Sequence, residues 1–215
     1  VLADAPFFYF DDQYMVIMGL YSGMTVHISE GMSVSRFLDW IDNHQIELAY
    51  FPTPLLETPP SSRDSATSLK KFIGFALNAE MTRLVEERFN VLTRDSFGMT
   101  EIGVGLLVPD TVNSEVALDS CGFPAPFRDI KIVDDNGNEV ESGNPGELWI
   151  KGPGIINGYY KKPKANKETF VDGWFRTGDV FIADALGFYT IVGRMKDMIR
   201  RSMENISALE VETAI

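Results

Sequence analysis

The stretch Asp172–Glu210, DGWFRTGDVFIADALGFYTIVGRMKDMIRRSMENISALE, decides how the rest of the chain is read. It holds two polar stations, each placed after an aromatic strand. Thr177-Gly178-Asp179 follows Trp174 and Phe175, and Gly193-Arg194-Met195-Lys196-Asp197 follows the run from Phe188 to Val192. Between them Asp184-Ala185-Leu186-Gly187 reads as a turn, so the spacing predicts a hairpin. An aspartate at one strand end and an arginine near the other can converge on one small polar ligand. The carboxylate accepts hydrogen bonds from a diol, and the guanidinium donates to oxygens or stacks on a sugar. The same two groups can also simply pair across the hairpin.

Composition narrows the classes. The 215 residues suffice for one large domain or two small ones, and 45% hydrophobic with 23% charged residues is ordinary for a globular protein. A net charge of -12 argues against nucleic acid or an anionic membrane as partner. No apolar run is long enough to span a bilayer and no secretory leader opens the chain, so a cytoplasmic location is expected. Cys121 is the single cysteine; it reads as a small apolar residue and suits a reducing compartment. Both ends read as cut: Val1–Phe10 is apolar without a polar lead-in. At the other end, Ser207 with Glu210 is a capping-box signature for a helix in which Ile215 would fall.

Working upstream, residues 7–10 read as a strand or strand end and Tyr14–Tyr21 as a buried helix. Met24–Ile28 reads as a short strand, and 34–43 as an amphipathic helix with Ser33 as its cap. His27 and His44 read as structural. Glu47–Phe51 is a strand, the Pro-rich Thr53–Arg63 a loop, Lys70–Leu77 a buried strand, and 79–89 a helix capped by Asn78. Its inner face is Met81, Leu84, Val85 and Phe89, and Val91–Asp95 is a further strand. This alternation predicts an α/β layer with a parallel or mixed sheet over residues 1–110. In such a layer ligands lie beyond the carboxyl ends of strands. Gly74–Asn78 and Ser96-Phe97-Gly98-Met99-Thr100-Glu101 fall there. Gly98 permits close backbone approach, Thr100 offers a hydroxyl and Glu101 a carboxylate, although Thr-Glu after Gly also reads as a helix start. From 111 to 195 the pattern becomes antiparallel and barrel-like. It has a hairpin about Asn136-Gly137, a strand at Gly146–Lys151 and a short basic helix at Pro163–Phe170.

The motifs taken together resemble the adenylate-forming superfamily of acyl-CoA synthetases, peptide-synthetase adenylation domains and firefly-type luciferases. GWFRTGD, GRMKDMI and ENISALEVE match its G-W-[FY]-x-T-G-D, G-R-x-K-D-x-I and E-N-I-x-x-x-E-[VL]-E patterns. SFGMTE matches [ST]-[YF]-G-M-T-E, and GELWIKGPGIINGYYKKP matches a motif that is structural in that family. The resemblance runs in order from about Pro6 onward. It implies that a carboxylate attacks the α-phosphate of ATP to give an acyl-adenylate and pyrophosphate, after which coenzyme A takes the acyl group, with Mg²⁺ bridging phosphate oxygens. By the same resemblance Asp179 would bind the ribose hydroxyls with help from Arg194, and Phe97 would flank the adenine opposite Phe75–Ala76, beside Gly98 and Met99. Thr100 would touch the phosphate and Glu101 the Mg²⁺. Lys196 occupies the hinge about which a small C-terminal lid domain, beginning at 196–215, would turn. Tyr9, where many members carry a histidine, would stand by the acyl site, with Gly103 and Gly105 leaving room for the acid.

Three departures qualify the match. Met203 replaces the usual glycine of S-G-E-N near the path of the coenzyme A arm. Phe75-Ala76-Leu77-Asn78 lacks the usual Gly-Ala-Pro, a variation similar to carnitine/crotonobetaine-CoA ligases. No phosphate loop ending in Pro-Lys and no C-terminal lysine motif is present. The chain is therefore expected to be an internal portion of a carboxylate–CoA ligase acting in fatty-acyl metabolism, and inactive alone. The alternatives are a noncatalytic nucleotide-binding or scaffold fragment, and a peptide-synthetase-type adenylation domain. Met99 and the E-N-I run disfavour the latter.

Overall fold

A computed structural model describes residues 1–75, 77–201 and 204–207, from residue 197 on as backbone only. Along the chain run β1 (Leu2–Ala3), α1 (Phe10–Ser22), β2 (His27–Ile28), α2 (Val34–His44), β3 (Leu48–Tyr50), β4 (Lys71–Gly74), α3 (Ala79–Phe89), β5 (Leu92–Met99), β6 (Gly103–Leu107), α4 (Ser114–Ala117) and β7 (Phe123–Pro124). Then follow β8 (Asp129–Val133), β9 (Gly146–Lys151), α5 (Pro163–Thr169), β10 (Phe170–Val171), β11 (Trp174–Ala183), β12 (Tyr189–Arg194), β13 (Met198–Arg201) and β14 (Glu204–Ser207).

Strands β3, β4 and β5 pair in parallel, and β6 and β7 extend that sheet antiparallel, giving the order β3-β4-β5-β6-β7. The second sheet is wholly antiparallel, β10-β11-β9-β8 with β12 on β11. The expected α/β class, a mixed sheet with helices followed by an antiparallel half-barrel, is therefore what the chain adopts. Each sheet has its own core. Phe37, Ile41, Phe72, Val85 and Phe89 close around the first; Phe97, Leu106, Leu148, Phe175 and Phe181 fill the second. β5 belongs to both: it begins in the parallel layer, and its far end puts Phe97 edge-on to Phe181, 4.9 Å between centroids. Burial of large apolar side chains at about 25 cal/mol per Å² is the main stabilising contribution in each core. A buried ion pair ties α3 to the loop between β3 and β4: Arg88 Nε donates to Asp64 at 2.6 Å, both side chains nearly inaccessible.

Several local expectations are corrected. Residues 7–10 form no strand; Tyr9 N–H closes a turn on the Pro6 carbonyl, and Asp11 and Asp12 favour a helix start at Phe10 through the helix dipole. α1 is not buried: Met15 and Gly19 face inward, while Ile17, Leu20 and Tyr21 are exposed. Leu84 of α3 is also exposed, so the inner face is narrower than the periodicity predicts. The strand at Met24–Ile28 contracts to β2, and the one at Lys70–Leu77 stops at Gly74. The Asn136-Gly137 turn makes one bridge, Val133 with Glu139, because β8 takes β9 as its partner. Ser207 ends β14; the helix expected after it, Ala76 and Met203 lie outside the described residues. Asn78 does cap α3, accepting from Met81 N–H at 2.8 Å.

Candidate active site

The hairpin at the centre of the sequence forms as its turn dictates. β11 and β12 pair antiparallel about Asp184–Gly187, and Asp179 stands directly across from Arg194. Asp179 is delivered by a bulge. Between Arg176 and Val180 the register of β11 on β9 shifts, and Gly178 takes φ +73°, a conformation open to glycine at little cost. The buried Glu147 holds this bulge: one carboxylate oxygen accepts from Gly178 N–H at 3.1 Å, the other from the Trp149 indole at 2.8 Å and Arg176 Nε at 3.0 Å. Thr177 Oγ1 donates to the Leu148 carbonyl and accepts from Asp179 N–H. The carboxylate of Asp179 is only 1% exposed. Oδ1 meets Arg194 Nε at 2.8 Å, while Oδ2 has no hydrogen-bond partner among the described residues. Burial pushes its pKa up to about 6; Arg194 pulls it down and Glu147 adds to the rise.

Below this hairpin lies a cavity of about 590 Å³ between the carboxyl ends of the first sheet, the start of α1 and the edge of the second sheet. It gathers Tyr9, Phe75, Phe97, Gly98, Met99, Thr100, Glu101, Gly103 and Arg194, drawn from five separate stretches of sequence. That is the position where open α/β sheets receive ligands. Asp179 sits behind Arg194 rather than in the wall, Gly105 is packed in the second core against Ile150, and Lys196 lies outside the wall on an exposed turn. The expected shared frontage of Asp179 and Arg194 thus becomes a relay, guanidinium in front and carboxylate behind. The tight turn after β5 requires Gly98: a Cβ there would stand 2.7 Å from the Gly103 carbonyl oxygen. Thr100 and Glu101 occupy that turn, so they do not start a helix.

Sequence reasoning missed several wall and support residues. Tyr50 stacks on Phe75 with centroids 5.2 Å apart and its hydroxyl donates to the Asp11 carbonyl at 3.3 Å. Arg94 also lines the cavity, with its guanidinium on the Thr93, Pro109, Asp110 and Val112 carbonyls and the Ser114 hydroxyl. Arg128 donates to the Val104, Pro153 and Ile102 carbonyls, pinning the Gly152–Gly154 loop to β6. Glu101 accepts from the Tyr159 hydroxyl at 3.0 Å, and its carbonyl accepts from Ile156 N–H at 2.9 Å. The one available signal was Glu147, a lone acid in a strand otherwise reading as buried. Among the described residues no group of three metal-ligating side chains exists. Glu101, one of four acidic residues lining the cavity with Asp11, Asp95 and Asp110, nonetheless fits Mg²⁺, which takes one or two carboxylates and completes its shell with phosphate oxygens and water.

A parallel layer joined to an antiparallel half-barrel, with a cavity at the strand ends, places the chain among the α/β folds that receive small ligands there. Residues 1–160 match the model of the AMP-binding enzyme family, and the chain belongs to that family. The chain is 31% identical over 214 residues to the 2-succinylbenzoate–CoA ligase of Bacillus licheniformis, covering 98% of this chain and 44% of the relative. To the long-chain-fatty-acid–CoA ligase of Yersinia pestis it is 37% identical over 137 residues, 62% of this chain and 24% of the relative. To a feruloyl-CoA synthase of Amycolatopsis it is 39% identical over 119 residues, 55% of this chain and 24% of the relative. Among solved structures, O-succinylbenzoate coenzyme A synthetase of Bacillus subtilis in complex with ATP and magnesium ion superposes with a TM-score of 0.85 at 28% identity. That match covers 99% of this chain and 45% of the neighbour. The chain thus spans less than half the length of these relatives.

Proposed function

We propose that this chain carries the nucleotide- and acid-binding part of an ATP-dependent carboxylate–CoA ligase that passes through an acyl-adenylate. The observation that carries the reading is the single cavity in which the Phe97–Glu101 turn, Phe75, Tyr9 and Arg194 converge. Phe97 and Phe75 flank the adenine, with the Gly98–Met99 backbone beside it. Arg194, steadied by Asp179, meets the ribose, and Asp179 takes the ribose hydroxyls once Arg194 swings aside. Thr100 donates to the α-phosphate, and Glu101 holds Mg²⁺, which when bound neutralises charge on the phosphate oxygens. Tyr9 and Gly103 border the acid, with Gly105 keeping the layer behind them thin. Lys196 serves as the hinge for the lid that brings coenzyme A, and a cytoplasmic setting suits the lone thiol.

Titration of the chain with AMP by calorimetry tests this reading. Saturable binding that is lost in Asp179→Ala supports it. The second reading, a scaffold in which Asp179 and Arg194 are only a structural pair, has the 2.8 Å ion pair in its favour. It predicts no AMP binding and a loss of thermal stability in the same variant.

A further inference from the structure

The loop after β9 reaches the site through the side chain of Tyr159. Its hydroxyl donates to Oε1 of Glu101 at 3.0 Å, and no other donor bonds that carboxylate among the described residues. Glu101 is also held through its backbone, by Ile156 N–H at 2.9 Å, so both ends of the residue are fixed from the same loop. Tyr159 is itself clamped. Its N–H donates to Asn166 Oδ1 at 2.6 Å and its carbonyl accepts from Asn166 Nδ2 at 3.0 Å, a two-point grip from α5. Gly158, φ +147°, brings the chain so close to Asn166 that a Cβ would lie 3.1 Å from its amide. The ring rests edge-on against Phe170.

We propose that Tyr159 is a positioning residue: by occupying one carboxylate oxygen of Glu101 it turns the other toward the cavity and fixes its angle for a nucleotide-bound divalent cation. This rests on the reading of Glu101 as the cation's carboxylate. Hydrogen-bond partners of metal-binding carboxylates set ligand orientation, and their removal costs roughly ten- to a hundredfold in metal affinity.

The experiment is a Mg²⁺ titration of ATP binding to the chain, followed by calorimetry, with metal-free AMP affinity measured alongside. Glu101→Gln is expected to abolish the Mg²⁺ dependence. Tyr159→Phe, which keeps the ring, is expected to raise the Mg²⁺ midpoint about tenfold with AMP affinity and melting temperature unchanged. Asn166→Ala, which slackens the grip, should give a smaller shift in the same direction. An unaltered midpoint in Tyr159→Phe, with Glu101→Gln impaired, overturns the inference and leaves the ligase reading standing. An unaltered Mg²⁺ dependence in Glu101→Gln, or none in the parent chain, overturns the metal role of Glu101 and the inference with it. A fall in AMP affinity matching the Mg²⁺ shift would mark Tyr159 as merely structural.

Discussion

Asp179 combines near-complete burial with one carboxylate oxygen that nothing among the described residues satisfies, an arrangement that costs free energy unless a ligand completes it. Because its folded pKa is raised, ionisation is disfavoured in the native state, and that penalty on folding stability develops as the pH rises above the ordinary carboxylate value and is complete above about 6. Ligand binding runs the opposite way if the ionised group accepts from a diol. Adenosine affinity should then weaken about tenfold on going from pH 8 to pH 5, since roughly a tenth of the groups remain ionised one unit below the pKa. Asp179→Asn should flatten that profile. Adenosine carries no phosphate that titrates in the window, and the comparison with Asp179→Asn separates this carboxylate from Asp12, which burial also raises to about 6. Asp179 and Arg194 were legible from the sequence because a turn of fixed length separates two strands. Their order from front to back was not. It depends on a β-bulge whose anchor, Glu147, lies thirty-odd positions upstream and reaches the bulge only through the pairing of β9 with β11.

The joints between elements separate into those written locally and those written at long range. Asn78, directly before a periodic apolar run, is a local instruction and α3 obeys it. The Asn136-Gly137 turn is an equally local signal, yet it is overridden because β9 offers β8 a longer ladder and a buried face. Exposure of Ile17 and Leu20 on α1 could not be foreseen, since composition announces apolarity but not what packs against it. The Asp64–Arg88 pair is a joint of the long-range kind. Burial alone would raise the Asp64 carboxyl, but Ser61 and Arg88 outweigh it and hold the carboxyl below its ordinary value. Its contribution is therefore complete above the ordinary carboxylate pKa and disappears as the pH falls through the lower folded value. Arg88→Ala should destabilise by about 3–5 kcal/mol, because an uncompensated buried carboxylate is left behind; urea denaturation at pH 7 measures it. Gly98→Ala should displace the Thr100–Glu101 turn through its clash with the Gly103 carbonyl, and weaken AMP binding more than it lowers the melting temperature.

At the scale of the molecule, two cores meet along β5, and the cavity lies where the sheets diverge. Fold class was readable because the hydrophobic period changes character halfway along the chain. The meeting of the halves was not, because β5 runs on past Asp95 and changes partner, and local propensity is silent about partners. The chain lacks a Ser/Thr/Gly-rich loop ending in Pro-Lys, so incubation with ATP, Mg²⁺ and mixed carboxylates is expected to release no pyrophosphate while AMP still binds. Cys121 lies in the second core, 3% exposed, its backbone N–H on the Tyr189 carbonyl and its thiol raised by burial to about 12. Such a sulfur is closed to alkylating reagents while that core stays closed. Iodoacetamide at pH 8 should accordingly mark only molecules whose second core has opened, which makes that core its own clock: the labelling rate counts openings, and a bound nucleotide that holds Arg194 and so steadies β12 over the thiol would slow it.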